Sequence, residues 1–248
     1  MGMEVRIFPT KGEVGAAAAA AGAEKIREAL VDRGEARIVM ASAASQFEVV
    51  EALTREPDIA WERVTLFHLD EYIGIPMDHP ASFSRFLRER FVARLPGKLK
   101  AFYAIEGENE ARVECVRVGG VLAGEAPAVA FIGIGENGHI AFNDPPADFE
   151  TEAPYLVVEL DGVCRQQQVG EGWFPDLAAV PTHAISMSVQ QILKADRIIC
   201  VVPDDRKADA VQKTVEGGVN PDVPATILQD HGDCMLFLDE PAASLLQR

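Results

Sequence analysis

The sequence predicts an α/β fold, namely a Rossmann-like, doubly wound and mostly parallel sheet with helices on both faces. Apolar runs of strand length alternate with helix-like segments along the 248 residues. The run at 128–132 is apolar throughout, as expected for a strand covered on both faces. No internal repeat or long linker interrupts this order, and a repeated strand-then-helix order favours parallel strands. We therefore interpret residues 1–248 as one domain, long enough to bury a large core.

The elements of the first half follow from local signals. The alanine-rich stretch 14–30 is a strong helix former, and Gly34 is placed to cap its C-terminus. Ser45 is placed to cap a helix at 46–53, and a helix at 82–92 carries its apolar side chains on one face. The predicted strands of this half are 5–8, 37–40 and 64–69.

The second half continues in the same way, except over residues 144–181. That stretch is the least core-like part of the chain, and we expect either a mobile lid or a surface excursion there. The predicted helices of this half are 108–122, 188–193 and 205–216, and the predicted strands are 128–132, 155–160, 197–202 and 234–238.

Composition narrows the class of partner. The formal net charge is −16, which disfavours binding to nucleic acid or to an anionic membrane surface, and no basic patch offsets it. No apolar stretch reaches transmembrane length, and the N-terminus does not read as a signal peptide. We therefore expect a cytoplasmic protein that binds a small molecule. An acidic protein still binds an anion where cations and backbone N–H groups converge.

Ligands of doubly wound sheets bind beyond the C-terminal ends of the strands. The segment GIGENGHIAFND, residues 133–144, follows such an end. Its glycines fit a G-x-G-x-x-G dinucleotide pattern, but Pro145 and Pro146 block the helix that this pattern requires. The favoured interpretation is a glycine turn, including Gly138, that approaches the ligand and presents His139. Asp144 could fix the tautomer of that imidazole, whereas a loop histidine without a catalytic role is the alternative.

Two adjacent carboxylates, Asp70 and Glu71, end the strand at 64–69. A carboxylate with a raised pKa can abstract a proton next to a carbonyl, whereas a helix cap or a solvated turn is the competing interpretation. Because neighbouring residues of a strand point to opposite faces, we expect one of the two to face the substrate.

Two further strand-to-helix turns are predicted to bind a phosphate. Lys207 lies where a strand ends and a helix begins, with Arg206 as a competitor and surface solvation as the alternative. The small residues Ser42 and Ala43 lie in a second such turn and expose backbone N–H groups. The other histidines lack metal-ligand spacing, so no metal is predicted.

These residues resemble a known family. The segment FHLDEYIGIP at 67–76, with His79-Pro80 and Ser82-Phe83, is similar to the strand-tip motif of glucosamine-6-phosphate deaminases, and GIGENGHIAFNDP is similar to their histidine motif. The resemblance implies a fold shared with 6-phosphogluconolactonases and a reaction without a cofactor.

By position, the resemblance implies the following roles. Asp70 moves a proton between C2 and C1, and His139 assists ring opening. Asn137 and Asp144 occupy the family's relay positions around that histidine, and Ser42 and Lys207 fall at phosphate-contacting positions.

Three departures from the family pattern leave the substrate open. Asp144 stands where the family usually has Glu, and the loop at Ser42 lacks the usual glycine pair. An arginine that binds phosphate in the family is missing before Trp173, although Arg165 matches an earlier one and is expected to bind substrate. The sugar, and whether it is phosphorylated, therefore stay open.

The leading hypothesis is an amino-sugar-phosphate deaminase that converts glucosamine or galactosamine 6-phosphate to a ketose 6-phosphate and ammonia. A lactonase of the same fold, or a sugar-phosphate-binding protein without catalysis, are the alternatives. The sequence leaves oligomeric state open, with a homo-oligomer as one outcome, and predicts no allosteric regulation.

Overall fold

The computed structural model describes residues 2–247, which form a seven-stranded sheet, a three-stranded sheet and seven α-helices within that range. The large sheet contains β1 (Glu4–Phe8), β2 (Ala36–Met40), β3 (Val64–His68), β5 (Ala101–Tyr103), β6 (Val129–Ile132), β9 (Arg197–Val202) and β10 (Cys234–Asp239). The small sheet contains β4 (Asp70–Tyr72), β7 (Tyr155–Glu159) and β8 (His183–Met187). The helices are α1 (Lys11–Asp32), α2 (Phe47–Leu53), α3 (Phe83–Arg90), α4 (Ala111–Leu122), α5 (Gly162–Gly170), α6 (Val189–Leu193) and α7 (Ala208–Glu216).

The large sheet is doubly wound. Its order is β1-β10-β9-β6-β2-β3-β5, and each neighbouring pair is parallel. The chain runs outward from β2 through β3 to β5, then restarts at β6 and runs outward in the other direction. The switch therefore lies between β2 and β6, which is where such folds bind ligands.

Strand alternation divides the core into two layers, one on each face of the sheet. On β6, Val129 and Phe131 pack with α1, α2 and α3, whereas Ala130 and Ile132 pack with α4, α6 and α7. Both faces of β6 are buried, as its apolar sequence predicts. The predicted α/β class with helices on both faces is confirmed.

The predicted elements are largely confirmed, with three kinds of difference. Ser45 does not cap α2, because 44–46 form a 3-10 turn and no side chain caps that helix. The predicted helix at 205–216 begins with another 3-10 turn, Asp205–Lys207. Sequence reasoning missed β4, β5, β8 and α5, and the last of these lies inside the stretch expected to be a lid or surface excursion.

Helix α1 packs closely on its neighbours because glycines remove side chains at the contacts. A Cβ on Gly15 would lie 2.4 Å from Cβ and 2.6 Å from the carbonyl carbon of Glu48, on α2. A Cβ on Gly22 would lie 2.2 Å from the ring of Phe131 on β6. The small residues that favour α1 as a helix thus also set its distance from α2 and the sheet.

We expect Gly15→Ala to destabilise the protein by about 1–3 kcal/mol, because the α2 backbone must move to admit one methyl group. The free energy of urea unfolding measures this. Gly12→Ala is the matched control, since only the Thr10 side-chain oxygen, at 3.9 Å, approaches its Cβ position. The control should be neutral or up to about 1 kcal/mol more stable. Equal stability of the two variants would contradict the close-packing argument.

Within residues 2–247, no helix is both long and apolar enough to span a bilayer.

Candidate active site

A cavity of about 290 Å³ opens at the C-terminal edge of the large sheet, beside the switch between β2 and β6. Its size is near the low end of the usual range for small-molecule pockets, about 300–1,000 Å³. Loops that follow β2, β3, β6 and β9 form most of the wall, and α5 closes another side. The polar and charged lining residues are Lys11, Ser42, Ser45, Glu48, Asp70, His139, Gln167, Gln168, Glu171, Asp204, Arg206 and Lys207.

His139 is held in the predicted glycine turn after β6. Gly138 has φ +85°, a conformation that favours glycine, and Gly135 N–H donates to the carbonyl of His139 at 2.9 Å. The imidazole lines the cavity, and its Nδ1 lies 3.0 Å from Oδ1 of Asp144. The side chains of His139 and Asp144 are only 10% and 7% exposed, so this pair is shielded from water.

Asp144 lies behind His139 and is stabilised as a carboxylate. Burial alone would raise its pKa, but His139 and hydrogen bonds from Asn137 and the Asp161 N–H outweigh burial and lower the pKa of Asp144. Asn137 Nδ2 donates to Asp144 Oδ1 at 3.0 Å, and Asn137 Oδ1 accepts from His139 N–H at 3.1 Å. The three residues therefore form one connected group, in which Asp144 is placed to keep the proton of His139 on Nδ1.

Asp70 provides the second titratable group of the cavity. It begins β4, is 7% exposed and lines the cavity together with His139. Burial, and then the neighbouring charge of Glu71, raise the pKa of Asp70 well above its usual value. A carboxylate with a raised pKa is a stronger base when ionised, which suits proton abstraction from carbon.

Glu71 lies on the other face of β4 and is not among the residues that line the cavity. Its carboxylate accepts hydrogen bonds from Ser82 Oγ, Phe83 N–H and Ser84 N–H, at 2.8, 3.2 and 2.9 Å, at the N-terminus of α3. Burial raises the pKa of Glu71 to about 7, against the opposing effect of these hydrogen bonds. The pair thus divides as strand geometry predicts, with Asp70 at the cavity and Glu71 as an anchor for α3.

Two other residues that are expected to contact the substrate also lie outside the cavity lining. Gly138 lies next to Val223 and outside the cavity lining, with its carbonyl accepting from Ala225 N–H at 2.9 Å. Arg165 donates to the carbonyls of Leu177 and Val180 at 2.7 and 3.0 Å, in the segment that follows α5. Gly138 therefore shapes the turn, and Arg165 anchors the segment after α5.

The start of α1 and the loops after β2 and β9 contribute cations and N–H groups to the cavity wall. Lys207 and Arg206 follow β9, Lys11 begins α1, and Ser42 and Ala43 follow β2. The Ser42 hydroxyl is buried and makes no hydrogen bond to the described residues. A buried hydroxyl without a partner is a place where a polar ligand group can bind, whereas Lys11 and Arg206 in the same wall each pair with Asp204, at 3.3 Å.

Glu171 is an acidic neighbour of Lys207 in this wall that sequence reasoning missed. The Lys207 Nζ lies 3.9 Å from Oε1 of Glu171, and both side chains are 6% exposed. Burial lowers the pKa of Lys207, and the Glu171 carboxylate opposes that effect. Glu171, Gln167 and Gln168 reach the cavity from α5, and the Asp161 cap of that helix was the sequence signal that could have revealed it.

One group of side chains has the donor atoms of a metal site. Single donor atoms of His139, Asp144 and Cys164 lie within 4.8 Å of one another. Burial, with the charges of Asp144 and Asp161, raises the pKa of the Cys164 thiol, and a protonated thiol is a poor ligand. The imidazole–carboxylate pair within this group has the arrangement that proton transfer requires.

We expect Gly135→Ala to lower kcat/KM by about 10²-fold, because a misplaced catalytic group loses activity even when it is present. The added Cβ would lie 2.3 Å from both Cε1 and Nε2 of His139, so the ring must move. Steady-state kinetics and thermal unfolding measure the two effects separately. Gly162→Ala is the control, since its Cβ position is open. Full activity of Gly135→Ala would show that the ring position is not critical.

Comparison with known proteins identifies similar chains over most of this length. A family model described as glucosamine-6-phosphate isomerases/6-phosphogluconolactonase matches residues 9–236. A glucosamine-6-phosphate deaminase of Exiguobacterium sibiricum is 36% identical over 209 residues, covering 84% of this chain and 81% of the relative. A protein of the same name from Listeria innocua is 32% identical over 229 residues, covering 91% and 96%.

Solved structures of proteins with these two activities are also similar to this chain. A monomeric glucosamine-6-phosphate deaminase superposes with a TM-score of 0.89 at 30% identity, covering 98% of this chain and all of the other. A 6-phosphogluconolactonase from Shewanella baltica superposes with a TM-score of 0.75 at 18% identity, covering 96% and 97%. The second likeness is one of fold alone.

Proposed function

The chain belongs to the family of glucosamine-6-phosphate isomerases and 6-phosphogluconolactonases, and we propose that it is a glucosamine-6-phosphate deaminase. The reaction converts glucosamine 6-phosphate and water to fructose 6-phosphate and ammonia. The observation that supports this most directly is the pairing of a buried carboxylate with a raised pKa, Asp70, and the His139–Asp144 pair in one cavity.

The first chemical step is opening of the sugar ring. His139 is placed to take the proton of the C1 hydroxyl and to return a proton to the ring oxygen, because an imidazole gives and takes protons near neutral pH. Asp144 behind Nδ1 stabilises the imidazolium that forms. The product of this step is the open-chain aldehyde.

The second step moves a proton along the open chain. Asp70 takes the proton from C2, whose acidity the C1 aldehyde increases, and the same carboxyl returns it to C1. The C1 oxygen gains a proton to become a hydroxyl, and the C2 nitrogen loses one. The resulting C2 imine is hydrolysed by water to the ketone and ammonia. Proton abstraction from carbon requires a strong carboxylate base, and the burial that raises the pKa of Asp70 supplies it.

We assign the phosphate to the part of the cavity wall that contains Lys207. Lys207, the Ser42 hydroxyl and the backbone N–H groups of the loop that contains Ala43 form this part. Arg206 and Lys11 also line the cavity, where each pairs with Asp204, and a phosphate could compete with that carboxylate for them in the absence of an arginine directly before Trp173. This arrangement favours a phosphorylated sugar over a neutral one.

The proposal is tested by incubating the pure protein with glucosamine 6-phosphate, galactosamine 6-phosphate and 6-phosphogluconolactone. We expect ammonia release from glucosamine 6-phosphate. Hydrolysis of the lactone without any ammonia release would replace the proposal with the lactonase alternative. Saturable binding of the sugar phosphates without turnover would replace it with the non-catalytic alternative.

We expect Glu171→Gln to lower the KM for glucosamine 6-phosphate at least about fivefold, because it removes a carboxylate that competes with the phosphate for Lys207. The amide oxygen can still accept from Trp173 Nε1, so the local structure is retained. Glu89→Gln, on the exposed end of α3, is the control. A KM that is unchanged or higher would place the phosphate away from Lys207.

The domain organisation, location and partners of the protein are also predicted from the sequence. We propose that residues 1–248 act as one domain and that 144–181 acts as a lid, a role supported by the three side chains that α5 contributes to the cavity wall. A cytoplasmic location, a reaction without a cofactor, and the absence of nucleic-acid partners and of allosteric regulation stay predictions. The oligomeric state stays open, although one relative of similar structure is monomeric.

A further inference from the structure

A carboxylate that the proposed mechanism does not use lies behind the catalytic pair. Asn137 Nδ2 donates both to Asp144 Oδ1 at 3.0 Å and to Asp161 Oδ2 at 2.9 Å. Asp161 N–H donates to the second oxygen of Asp144, Oδ2, at 3.0 Å. Asp144, Asn137 and Asp161 therefore form a closed hydrogen-bonded ring, with His139 attached to it.

The ring fixes the orientation of the Asn137 amide. The amide has two N–H groups and one acceptor oxygen, and the oxygen already accepts from His139 N–H at 3.1 Å. With the amide turned this way, its nitrogen can serve both carboxylates at once. Without Asp161, only the bond to Asp144 would hold the nitrogen end in place.

The same ring explains why an amide suits position 137. A carboxylate there would place a third negative charge within hydrogen-bonding distance of Asp144 and Asp161, and like charges at that distance are unfavourable. The amide instead separates the two carboxylates and donates to each. Asn137 and Asp161 are therefore complementary to each other.

Asp161 also connects this ring to the cavity wall. Its Oδ1 accepts from Cys164 N–H at 2.6 Å and thereby caps α5, the helix that carries Gln167 and Glu171 to the cavity. The Asp161 side chain thus contacts both Asn137, in the group that orients His139, and the first turn of α5.

We propose that Asp161 is a positioning residue for the His139–Asp144 pair, and that it acts through the side-chain amide of Asn137. The inference rests on the proposed function for its kinetic consequences, whereas the geometry of the ring does not depend on the reaction. Loss of the Asp161 carboxylate frees the amide to rotate, and Asp144 then loses a donor that stabilises its charged form.

The test separates positioning from helix capping. Asp161→Ser keeps a side-chain oxygen that can cap α5 but is too short to reach Asn137. We expect kcat to fall roughly 10- to 100-fold, the value of a hydrogen bond to a charged group, with little change in KM. Asn137→Ala should cause a similar or larger loss. The double variant should be no worse than Asn137→Ala alone, whereas losses that multiply would overturn action through Asn137.

Asp148→Ser is the control for these measurements, since Asp148 is an exposed cap in the same segment. It should keep the kcat of the wild type. A wild-type kcat in Asp161→Ser as well would overturn the proposal.

A measurement on the resting protein distinguishes failure of this inference from failure of the proposed function. Nitrogen NMR of the His139 imidazole reports the tautomer without any substrate. We expect the Nδ1–H tautomer in the wild type and a mixture of tautomers in Asp161→Ser. If the wild type releases no ammonia, the function fails but the tautomer change still tests Asp161. The same tautomer in both proteins would overturn the inference whatever the activity.

Discussion

Asp70→Asn should lower kcat for ammonia release by about 10²–10⁴-fold, the usual contribution of a general base. The amide has nearly the shape of the carboxylate but cannot take the C2 proton. Burial of an ionised carboxylate is unfavourable, and the raised pKa of Asp70 reflects this cost. Replacement by a neutral amide should therefore leave the protein folded, and thermal unfolding checks this. Asp209→Asn, on the exposed face of α7, is the matched control. Wild-type turnover by Asp70→Asn would contradict the assignment of Asp70 as the base.

Asp70 also determines how kcat/KM is expected to depend on pH. Asp70 must be ionised to accept a proton, and burial together with Glu71 raises its pKa. As the pH falls through this raised pKa, the carboxyl becomes protonated and kcat/KM falls. The ordinary pKa of an aspartate is about 4. The acidic limb of kcat/KM should therefore lie well above that pH. A pH profile of kcat/KM measures this, and a limb at the ordinary value would show that Asp70 is not the group that titrates.

The positions of Asp70 and His139 could be predicted because they depend on the fold class. Alternating strands and helices predict a doubly wound sheet, and in such sheets the residues after the strands share one edge. Both residues follow strands of the central sheet, so the strand ends bring them to one cavity although they are far apart in sequence. The alternation of strands and helices, together with the rule for where such sheets bind ligands, was therefore sufficient to place both residues at the same edge.

The direction of individual side chains could not be predicted in the same way. For Asp70 and Glu71, the sequence indicates that they point to opposite faces but not which one faces the cavity. That choice depends on α3, whose N-terminal N–H groups bind the Glu71 carboxylate. Arg165 presents the same difficulty, because the carbonyls of Leu177 and Val180 hold it away from the cavity.

The wall formed by α5 was missed for a different reason. The helix begins and ends with glycine, its middle is rich in glutamine, and it has few apolar residues to show a helical period. It is held in place by tertiary packing, in which Cys164 joins a cluster of aromatic residues from other elements. Packing of this kind over long sequence distances leaves no periodic signal, so apart from the Asp161 cap nothing in the sequence indicated the helix that positions Gln167, Gln168 and Glu171.

His139→Gln should lower kcat/KM for glucosamine 6-phosphate by about 10²-fold, less than the loss for Asp70→Asn. The ring form of an amino sugar opens slowly without a catalyst, so some open-chain substrate still reaches Asp70, whereas nothing replaces the base. An open-chain amino-alditol 6-phosphate needs no ring opening, and its inhibition constant should therefore be nearly unchanged in His139→Gln. His183→Gln, at an exposed position on β8, is the control. Weaker binding of the open-chain inhibitor, in proportion to the loss of kcat/KM, would instead assign His139 to substrate binding and leave ring opening to another group.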